Sequence, residues 1–226
     1  MKVSVIIPFY NNWELTHSRL MELYTHVDPL EIILVNDCST DNVGGRKWWE
    51  SNTKHNIVCL DNDINLGFGG SMNRGVEEST GNFVILLSND VIVRGDIVSQ
   101  TLDKYKKNSL LGNTLRDYDT GWNVFEYLGR KRMFPYIEGY YIACDKYAWE
   151  ELGGFDPIFA PYDMEDVDLS TSAILNGYNL VALNSQYLSH MSGQTIRKVN
   201  PQRETITNMN RQKFYMKWTR ILDGDW

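Results

Sequence analysis

The chain has few cysteines and lacks any long apolar run. Its 226 residues include three cysteines, Cys38, Cys59 and Cys144, which lie far apart. An odd number of separated cysteines predicts neither a disulfide framework nor a Cys-x-x-Cys metal site, and reduced thiols are typical of a cytoplasmic protein. The first apolar stretch stops at Pro8, and no later one reaches the roughly 18 residues of a membrane span. We therefore expect neither a signal peptide nor a transmembrane helix.

Basic residues are also in deficit. The 22 Lys and Arg residues are outnumbered by 29 Asp and Glu residues, which gives a net charge of −7 and a pI of about 5.1. This balance argues against a nucleic acid partner, because binding to a phosphate backbone favours net positive charge. Basic and aromatic side chains do alternate over residues 202–221. We interpret that segment as a helix packed on the domain, with peripheral contact to a membrane surface or a partner as the alternative.

Short apolar runs alternate with segments suited to helices. The apolar runs, rich in β-branched residues, are 3–7, 31–35, 56–60 and 83–87. The intervening helices are predicted over about 12–26, 43–52 and 69–79. Strands that are apolar at every position are typical of a sheet covered on both faces. The alternation predicts an α/β fold with a mostly parallel central sheet flanked by helices.

The rest of the chain gives a less regular pattern. We predict helices over 95–107, 145–154 and 164–178, and strands over 136–144 and 179–183. Residues 108–136 show no clear period and are interpreted as a functional loop region. We expect a single domain, with a ligand-binding half over 1–90, a second half over 91–200 and a C-terminal helix over 201–226.

Polar residues follow each of the four predicted strands. The strand ends are Tyr10-Asn11, Asn36-Asp37, Asp61-Asn62 and Ser88-Asn89-Asp90. Each could be a local turn, since Asn and Asp are common in turns. In a parallel sheet, however, all four ends lie on the edge outside which ligands of open α/β sheets bind.

Three further features each have a structural and a functional interpretation. The glycine-rich segment 65–75 is either a structural loop or a loop whose backbone closely approaches an anionic ligand. The acids of 163–168 either cap a helix, with Asp163 as the N-cap and the others in the first turn, or supply a general base or metal ligand. His190 is either a structural histidine or a ligand.

Seven motifs in one order resemble the family 2 glycosyltransferases of the GT-A fold, most of all their bacterial rhamnosyltransferase-like branch. They are "VSVIIPFYNN", "EIILVNDCSTDN", "NLGFGGSMNRG", "FVILLSNDVIV", "GGFDPIF", "EDVDLS" and "GYNLV", followed by His190. The resemblance covers roughly residues 1–190, and only 91–137 carry no matching motif.

The resemblance implies a role for individual residues on the nucleotide side. It places Pro8, Tyr10, Asn11 and Asp37 around the nucleotide base. It places Asn65, Gly67 and Asn73 near the ribose and diphosphate. Ser88-Asn89-Asp90 corresponds to the family's Asp-x-Asp motif, with Ser88 in place of the first acid. Ser88 and Asn89 are thus expected at the nucleotide sugar, and Asp90 at a metal ion.

The resemblance also implies the chemistry. His190 matches a histidine that completes a Mn²⁺ or Mg²⁺ site, and Glu165 and Asp166 match a catalytic acid pair, of which we choose Asp166 as the general base. The implied activity is inverting transfer of a sugar from a UDP-sugar, or secondarily a dTDP-sugar, to the hydroxyl of a glycan or other acceptor. Acceptor choice is expected within 108–140, with Trp122 and Tyr140 as candidate contacts. The alternative is a catalytically silent domain that binds a nucleotide or glycan.

Overall fold

A computed structural model describes residues 1–27, 30–41, 56–116, 124–127, 130–191 and 202–222. The helix predicted near 43–52 and the candidate acceptor contact Trp122 lie outside these residues. The strands are β1 (Val3–Phe9), β2 (Glu31–Asn36), β3 (Asn56–Asp61), β4 (Phe83–Leu87), β5 (Val91–Val93), β6 (Ser109–Gly112), β7 (Leu115–Arg116), β8 (Val124–Tyr127), β9 (Arg130–Met133), β10 (Tyr136–Ile137), β11 (Tyr141–Asp145), β12 (Asn179–Ala182) and β13 (Leu188–His190).

Seven strands form the central sheet, in the order β12-β6-β11-β4-β1-β2-β3. The first four strands of the chain that belong to it are mutually parallel, as predicted, with Ile6 opposite Ile33 of β2 and Leu86 of β4. Only β11 is reversed, pairing antiparallel with both β4 and β6. The mostly parallel α/β sheet expected from the sequence is therefore confirmed, and the second half of the chain adds β6, β11 and β12 to it.

Helices cover both faces of this sheet. They are α1 (Trp13–His26), α2 (Gly67–Glu78), α3 (Ile97–Lys104), α4 (Lys146–Leu152), α5 (Glu165–Leu175) and α6 (Arg203–Leu222), with a 3₁₀ turn at Pro157–Phe159. Leu20 and Leu23 of α1 join the core on one face, whereas Met72 and Val76 of α2 join the core on the other. Strands β1, β2 and β4 are apolar at nearly every position because both of their faces are buried, whereas β3 at the edge of the sheet is half-buried.

Two predictions from the second half were wrong in detail. Residues 108–136 are not only loop, because they contain β6, whose four residues are all buried inside the central sheet. A strand this short shows no periodic pattern in the sequence. The predicted strand 136–144 is two strands, β10 and β11, separated by a turn in which Tyr141 N donates to Glu138 O over 3.4 Å.

Two predicted element ends also differ from the structure. The first strand does not stop at Pro8, which pairs with Val35 inside β1. Asp163 is not the N-cap of α5: Met164 precedes the helix in a left-handed conformation, with a φ of 85°. The Asp163 carboxylate instead accepts hydrogen bonds from Arg203 and Thr207 of α6, because that helix packs against the turn before α5.

Candidate active site

The polar strand ends lie side by side at one edge of the sheet. Backbone hydrogen bonds continue past the strands there, from Asp37 N to Phe9 O at 2.8 Å and from Asn62 N to Asn36 O at 2.9 Å. Pro8 is buried within β1 and Tyr10 is half-buried at its end. The sequence prediction of a single polar edge is thus confirmed.

Asn11 holds the segment that follows β2. Its side-chain Oδ1 accepts hydrogen bonds from Thr40 N at 2.7 Å and Asp41 N at 3.1 Å, and its own backbone N–H donates to Ser39 Oγ at 2.8 Å. Asn11 has a positive φ of 55°, a conformation that Asn tolerates better than most residues. Asn11 therefore holds residues 39–41 against the end of β1, next to Tyr10.

Asp37 ties the end of β2 to the glycine-rich segment. Its buried carboxylate accepts hydrogen bonds from Leu66 N at 2.7 Å, Gly67 N at 3.0 Å and Asn62 Nδ2 at 2.8 Å. Asn65 Nδ2 donates to Asp37 O at 3.1 Å. The sequence-predicted residues Asp37, Asn65 and Gly67 are therefore in direct contact, and their first role is to fix the start of α2.

Gly67 meets a steric requirement at this point. Its φ is +75°, and a Cβ atom there would lie 2.5 Å from Pro161 O. A side chain is excluded by both the left-handed backbone and the neighbouring carbonyl. The start of α2 consequently lies directly against the turn that precedes α5.

Two residues predicted at the nucleotide sugar are committed to other contacts. Asn73 donates from Nδ2 to Phe155 O at 2.7 Å and accepts at Oδ1 from Phe155 N at 2.9 Å. Asn89 is buried and donates from Nδ2 to Thr16 Oγ1 of α1 at 2.9 Å. Asn73 thus links α2 to the segment that contains Phe155, and Asn89 links the end of β4 to α1.

Asp90 and His190 face each other at the end of β4. The His190 Nε2 and Asp90 Oδ1 atoms are 3.2 Å apart, and Ser88 Oγ donates to the same Oδ1 at 2.7 Å. Burial alone would raise the pKa of Asp90, but the hydrogen bonds from His190 and Ser88 outweigh it and hold the pKa below its usual value. Asp90 is therefore a carboxylate at neutral pH.

The Asp90–His190 pair suits a divalent cation that takes its other ligands from a substrate. A carboxylate oxygen and an imidazole nitrogen are both ligands of Mn²⁺, and Mg²⁺ is often held by one or two protein groups plus phosphate oxygens. In the described part of the chain, no cluster of three or more His, Cys, Asp or Glu side chains could hold a metal by itself. The donor set therefore fits a cation shared with a diphosphate better than a closed structural site.

Tyr140 supports His190. The two rings stack with centroids 4.3 Å apart and an interplanar angle of 24°. The Tyr140 hydroxyl accepts from Asn113 Nδ2 at 2.9 Å and pairs with Thr114 Oγ1 at 2.7 Å. Only 9% of Tyr140 is exposed, which leaves little surface for the acceptor contact that the sequence suggested.

Asp166 is the second residue of α5 and lies beside the turn between β10 and β11. Its Oδ2 accepts from Gly139 N at 2.9 Å and its Oδ1 from Val167 N at 2.9 Å. Burial raises the pKa of Asp166 to about 7, against the lowering effect of these two bonds. A carboxyl group with such a pKa is suited to accept a proton near neutral pH.

Glu165 is more deeply buried than its neighbour. It is 8% exposed, and its Oε2 has no hydrogen-bond partner among the described residues. Burial and the negative charge of Asp166 raise the pKa of Glu165 well above its usual range. Glu165 borders a small cavity together with Gly69, Gly70 and Pro161. The two members of the acid pair therefore lie in different environments.

The turn at 138–141 joins the two halves of the site. Ser88 N donates to Tyr140 O at 2.9 Å, while Gly139 N binds Asp166. The same turn therefore contacts the strand end that carries Asp90, the ring of His190 and the start of α5. Sequence reasoning missed Gly139, whose only signal was that of a glycine inside the predicted strand 136–144.

Similarity to known proteins supports a family assignment. The family model described as "Glycosyl transferase family 2" matches residues 4–168. A glycosyltransferase of uncharacterized function from Escherichia coli, YibD, is 40% identical over 91 residues, which are 39% of this chain and 26% of that protein. Poly-beta-1,6-N-acetyl-D-glucosamine synthase of Staphylococcus epidermidis is 27% identical over 111 residues, or 49% of this chain and 27% of that protein. The chain thus matches about a quarter of the length of these relatives.

Solved structures agree on the fold. A mannosyltransferase from Pyrobaculum calidifontis in complex with GDP-Man and Mn²⁺ superimposes with a TM-score of 0.73 at 18% identity, over 99% of this chain and 65% of its own. Staphylococcus aureus TarS in complex with UDP-GlcNAc gives a TM-score of 0.67 at 19% identity, over 100% of this chain and 68% of its own. The GT-A fold implied by the sequence motifs is confirmed. With a family model that matches most of its length, the chain belongs to glycosyl transferase family 2.

Proposed function

We propose that this protein transfers a sugar from a nucleoside-diphosphate sugar to an acceptor hydroxyl, with inversion at the anomeric carbon. Asp90 and His190 hold Mn²⁺ or Mg²⁺, and Asp166 is the general base. UDP is the favoured nucleotide and dTDP the second, and a place in the rhamnosyltransferase-like branch is part of the same proposal. The family membership and the complexes of fold relatives with UDP-GlcNAc or GDP-Man support a nucleotide-sugar donor.

One observation carries the proposal beyond family membership. The 138–141 turn is bonded to Asp166 through Gly139 and lies against His190 through Tyr140. A carboxyl group with a pKa near 7 and an Asp–His pair thus belong to one rigid unit. The transfer reaction needs both, a base for the acceptor and charge stabilisation for the departing diphosphate.

The chain's own residues act in a simple order. Asp166 takes the proton of the acceptor hydroxyl as the oxygen forms a bond to the anomeric carbon. The bond from that carbon to the diphosphate breaks, and its electron pair leaves with the nucleoside diphosphate. A bound cation neutralises negative charge on the diphosphate. Glu165 is not assigned this role, because its side chain is more deeply buried than that of Asp166.

The silent binding domain is the competing function. It predicts nucleotide binding without turnover, whereas the proposal predicts metal-dependent release of nucleoside diphosphate. A thermal-shift screen of UDP, dTDP and GDP and their sugars, dTDP-rhamnose included, with and without Mn²⁺, identifies the donor, because a ligand of the native state raises the melting temperature. Donor hydrolysis and transfer to glycan acceptors follow with the best ligand. A stabilising nucleotide sugar that is never cleaved would favour the silent domain.

A further inference from the structure

Asn210 of α6 is buried against residues 159–164, the turn that leads into α5. It is 1% exposed, and its Nδ2 lies within hydrogen-bond distance of three carbonyl oxygens: Phe159 at 2.7 Å, Tyr162 at 2.9 Å and Asp163 at 3.0 Å. Its Oδ1 accepts from Lys213 Nζ at 2.9 Å. Two amide hydrogens are thus shared among three acceptors in this turn, while the Oδ1 atom bonds within α6.

The turn needs external support. Asp163 and Met164 both adopt positive φ values, 70° and 85°, a conformation that is strained for residues with a side chain. Arg203 and Thr207 of α6 bind the Asp163 carboxylate at 3.1 and 2.6 Å. The strained backbone is consequently stabilised from α6.

The turn connects both sides of the candidate site. Its Pro161 O accepts from Phe68 N at the start of α2 at 3.0 Å, and its last residue, Met164, is followed directly by Glu165 and Asp166. A shift of the turn would therefore move the start of α5 relative to Gly139, the group that holds Asp166.

We propose that Asn210 is a positioning residue for glycosyl transfer: by holding the carbonyls of Phe159, Tyr162 and Asp163, it sets the place of Asp166. This inference rests on the proposed function of Asp166. The family model ends at residue 168, so Asn210 lies in a part of the chain that the family match does not include. Asn210 touches neither donor nor acceptor and acts only through the turn.

The test compares Asn210→Ala and Asn210→Asp with Asn208→Ala, an exposed asparagine on the same helix. Asn210→Asp keeps the shape but directs an oxygen toward three carbonyls. Thr207→Val perturbs the same turn more mildly and keeps the experiment informative if Asn210 variants fold poorly. We expect kcat per folded enzyme to fall about 10- to 100-fold in the Asn210 variants, since small misplacements of reacting groups have effects of this size. The calorimetric affinity for UDP and Mn²⁺ should change by much less than kcat, and Asn208→Ala should match the wild type in both.

A second readout does not need activity. The pKa of Asp166, followed by NMR of ¹³C-labelled aspartate, should fall from about 7 toward its ordinary value in Asn210→Ala, because a loosened turn admits water. A normal kcat in folded Asn210→Ala, or an unchanged pKa of Asp166, would overturn the inference. If the wild type transfers no sugar at all, the proposed function fails. The NMR titration still tests whether Asn210 sets the environment of Asp166.

Discussion

His190 lies beside Asp90 because of backbone register, not by chance contact of two side chains. Strand β13 pairs antiparallel with β5, which puts His190 opposite Val91, and Met191 N donates to Asp90 O at 3.1 Å. The imidazole Nε2 is thereby held 3.2 Å from Asp90 Oδ1. This backbone pairing aligns the imidazole nitrogen and the carboxylate oxygen before any ligand binds. Such preorganisation favours ligand affinity.

Replacement of Asp90 should abolish metal-dependent nucleotide binding. Asp90→Asn keeps the size of the side chain but removes the negative charge that attracts a divalent cation. We expect titration calorimetry to show loss of the Mn²⁺-dependent part of UDP affinity, with a modest drop in melting temperature because the buried carboxylate also contacts His190 and Ser88. The matched control is Asp103→Asn, an exposed acid on α3. Unchanged affinity in Asp90→Asn would remove Asp90 from the metal site.

Tyr140 should matter through its ring more than through its hydroxyl. Tyr140→Phe keeps the stacking on His190, whereas Tyr140→Leu removes the aromatic face. We expect Mn²⁺-dependent UDP affinity to be nearly normal in the Phe variant and about 10- to 100-fold weaker in the Leu variant, as for other residues that orient metal ligands. If Tyr140 binds the acceptor instead, the Leu variant will lose acceptor affinity while Mn²⁺ and UDP bind normally.

The sequence predicted the first half of the fold well for a physical reason. Strands β1, β2 and β4 are buried on both faces, so they appear as unbroken apolar runs such as 83–87, and their polar ends appear at fixed places. The second half was harder to predict. Strand β6 has four residues, and β11 is reversed, and neither a short strand nor its direction leaves a periodic signal.

The candidate site was predictable only as a set of residue types. The family motifs pointed to Asp90, His190 and Asp166, but not to the contacts that fix them. Gly139 holds Asp166 through a backbone N–H, and Asn210 holds the turn through backbone carbonyls. Interactions made with backbone atoms depend on the fold rather than on the identity of the partner residue. They are therefore invisible in a single sequence.

Gly67→Ala should weaken both folding and donor binding. The substitution places a Cβ 2.5 Å from Pro161 O at a φ of +75°. Gly153→Ala is the matched control, because Gly153 has a φ of +82° and a Cβ atom added there would meet nothing within 4 Å. Left-handed strain alone should lower the stability of the control by about 1–2 kcal/mol. Chemical denaturation should show a larger loss for Gly67→Ala, with weaker UDP binding that Gly153→Ala does not share. Equal losses would mean that the Pro161 contact relaxes freely.

Asp166→Asn should be far less active than Glu165→Gln. A general base contributes about 10²–10⁴-fold, so the turnover of Asp166→Asn should fall by roughly that factor while the affinity for donor holds. In the wild type, kcat should rise with pH through about 7, as Asp166 loses its proton. Steady-state kinetics with donor and acceptor varied separately measures both. If Glu165→Gln is the inactive variant and Asp166→Asn is active, the base is Glu165.

Asp168→Asn provides a control within the same helix. Its buried carboxylate accepts from Lys217 Nζ at 2.8 Å and Trp218 Nε1 at 2.8 Å of α6, and removal of one partner from such a contact destabilises the fold. We therefore expect a lower melting temperature and near-normal turnover of the folded enzyme. That outcome would separate acids that hold α6 from the acid that reacts.

The stability of Asp166→Asn relative to the wild type should increase as the pH rises. The pKa of Asp166 is raised from 3.8 to about 7 in the folded protein, so between these values the folded state keeps a proton that the unfolded state has lost. The free energy of unfolding therefore falls as the pH rises through this window. The negative charges of Asp163 and Glu138 act on Asp166 in the same direction, while Arg203 lowers the pKa of the neighbouring Glu165. Asn at 166 does not titrate, but its single oxygen cannot accept from both Gly139 N and Val167 N, which costs roughly 1 kcal/mol at every pH.

The diagnostic quantity is therefore the slope and not the offset: the stability of Asp166→Asn relative to the wild type should increase from about pH 4 to about pH 7 and then level off. Urea denaturation across this range measures it, with Asp103→Asn expected to stay flat. A difference that stays flat above about pH 5 would mean that Asp166 is ionised in the folded protein across this range and is not held ready to accept a proton.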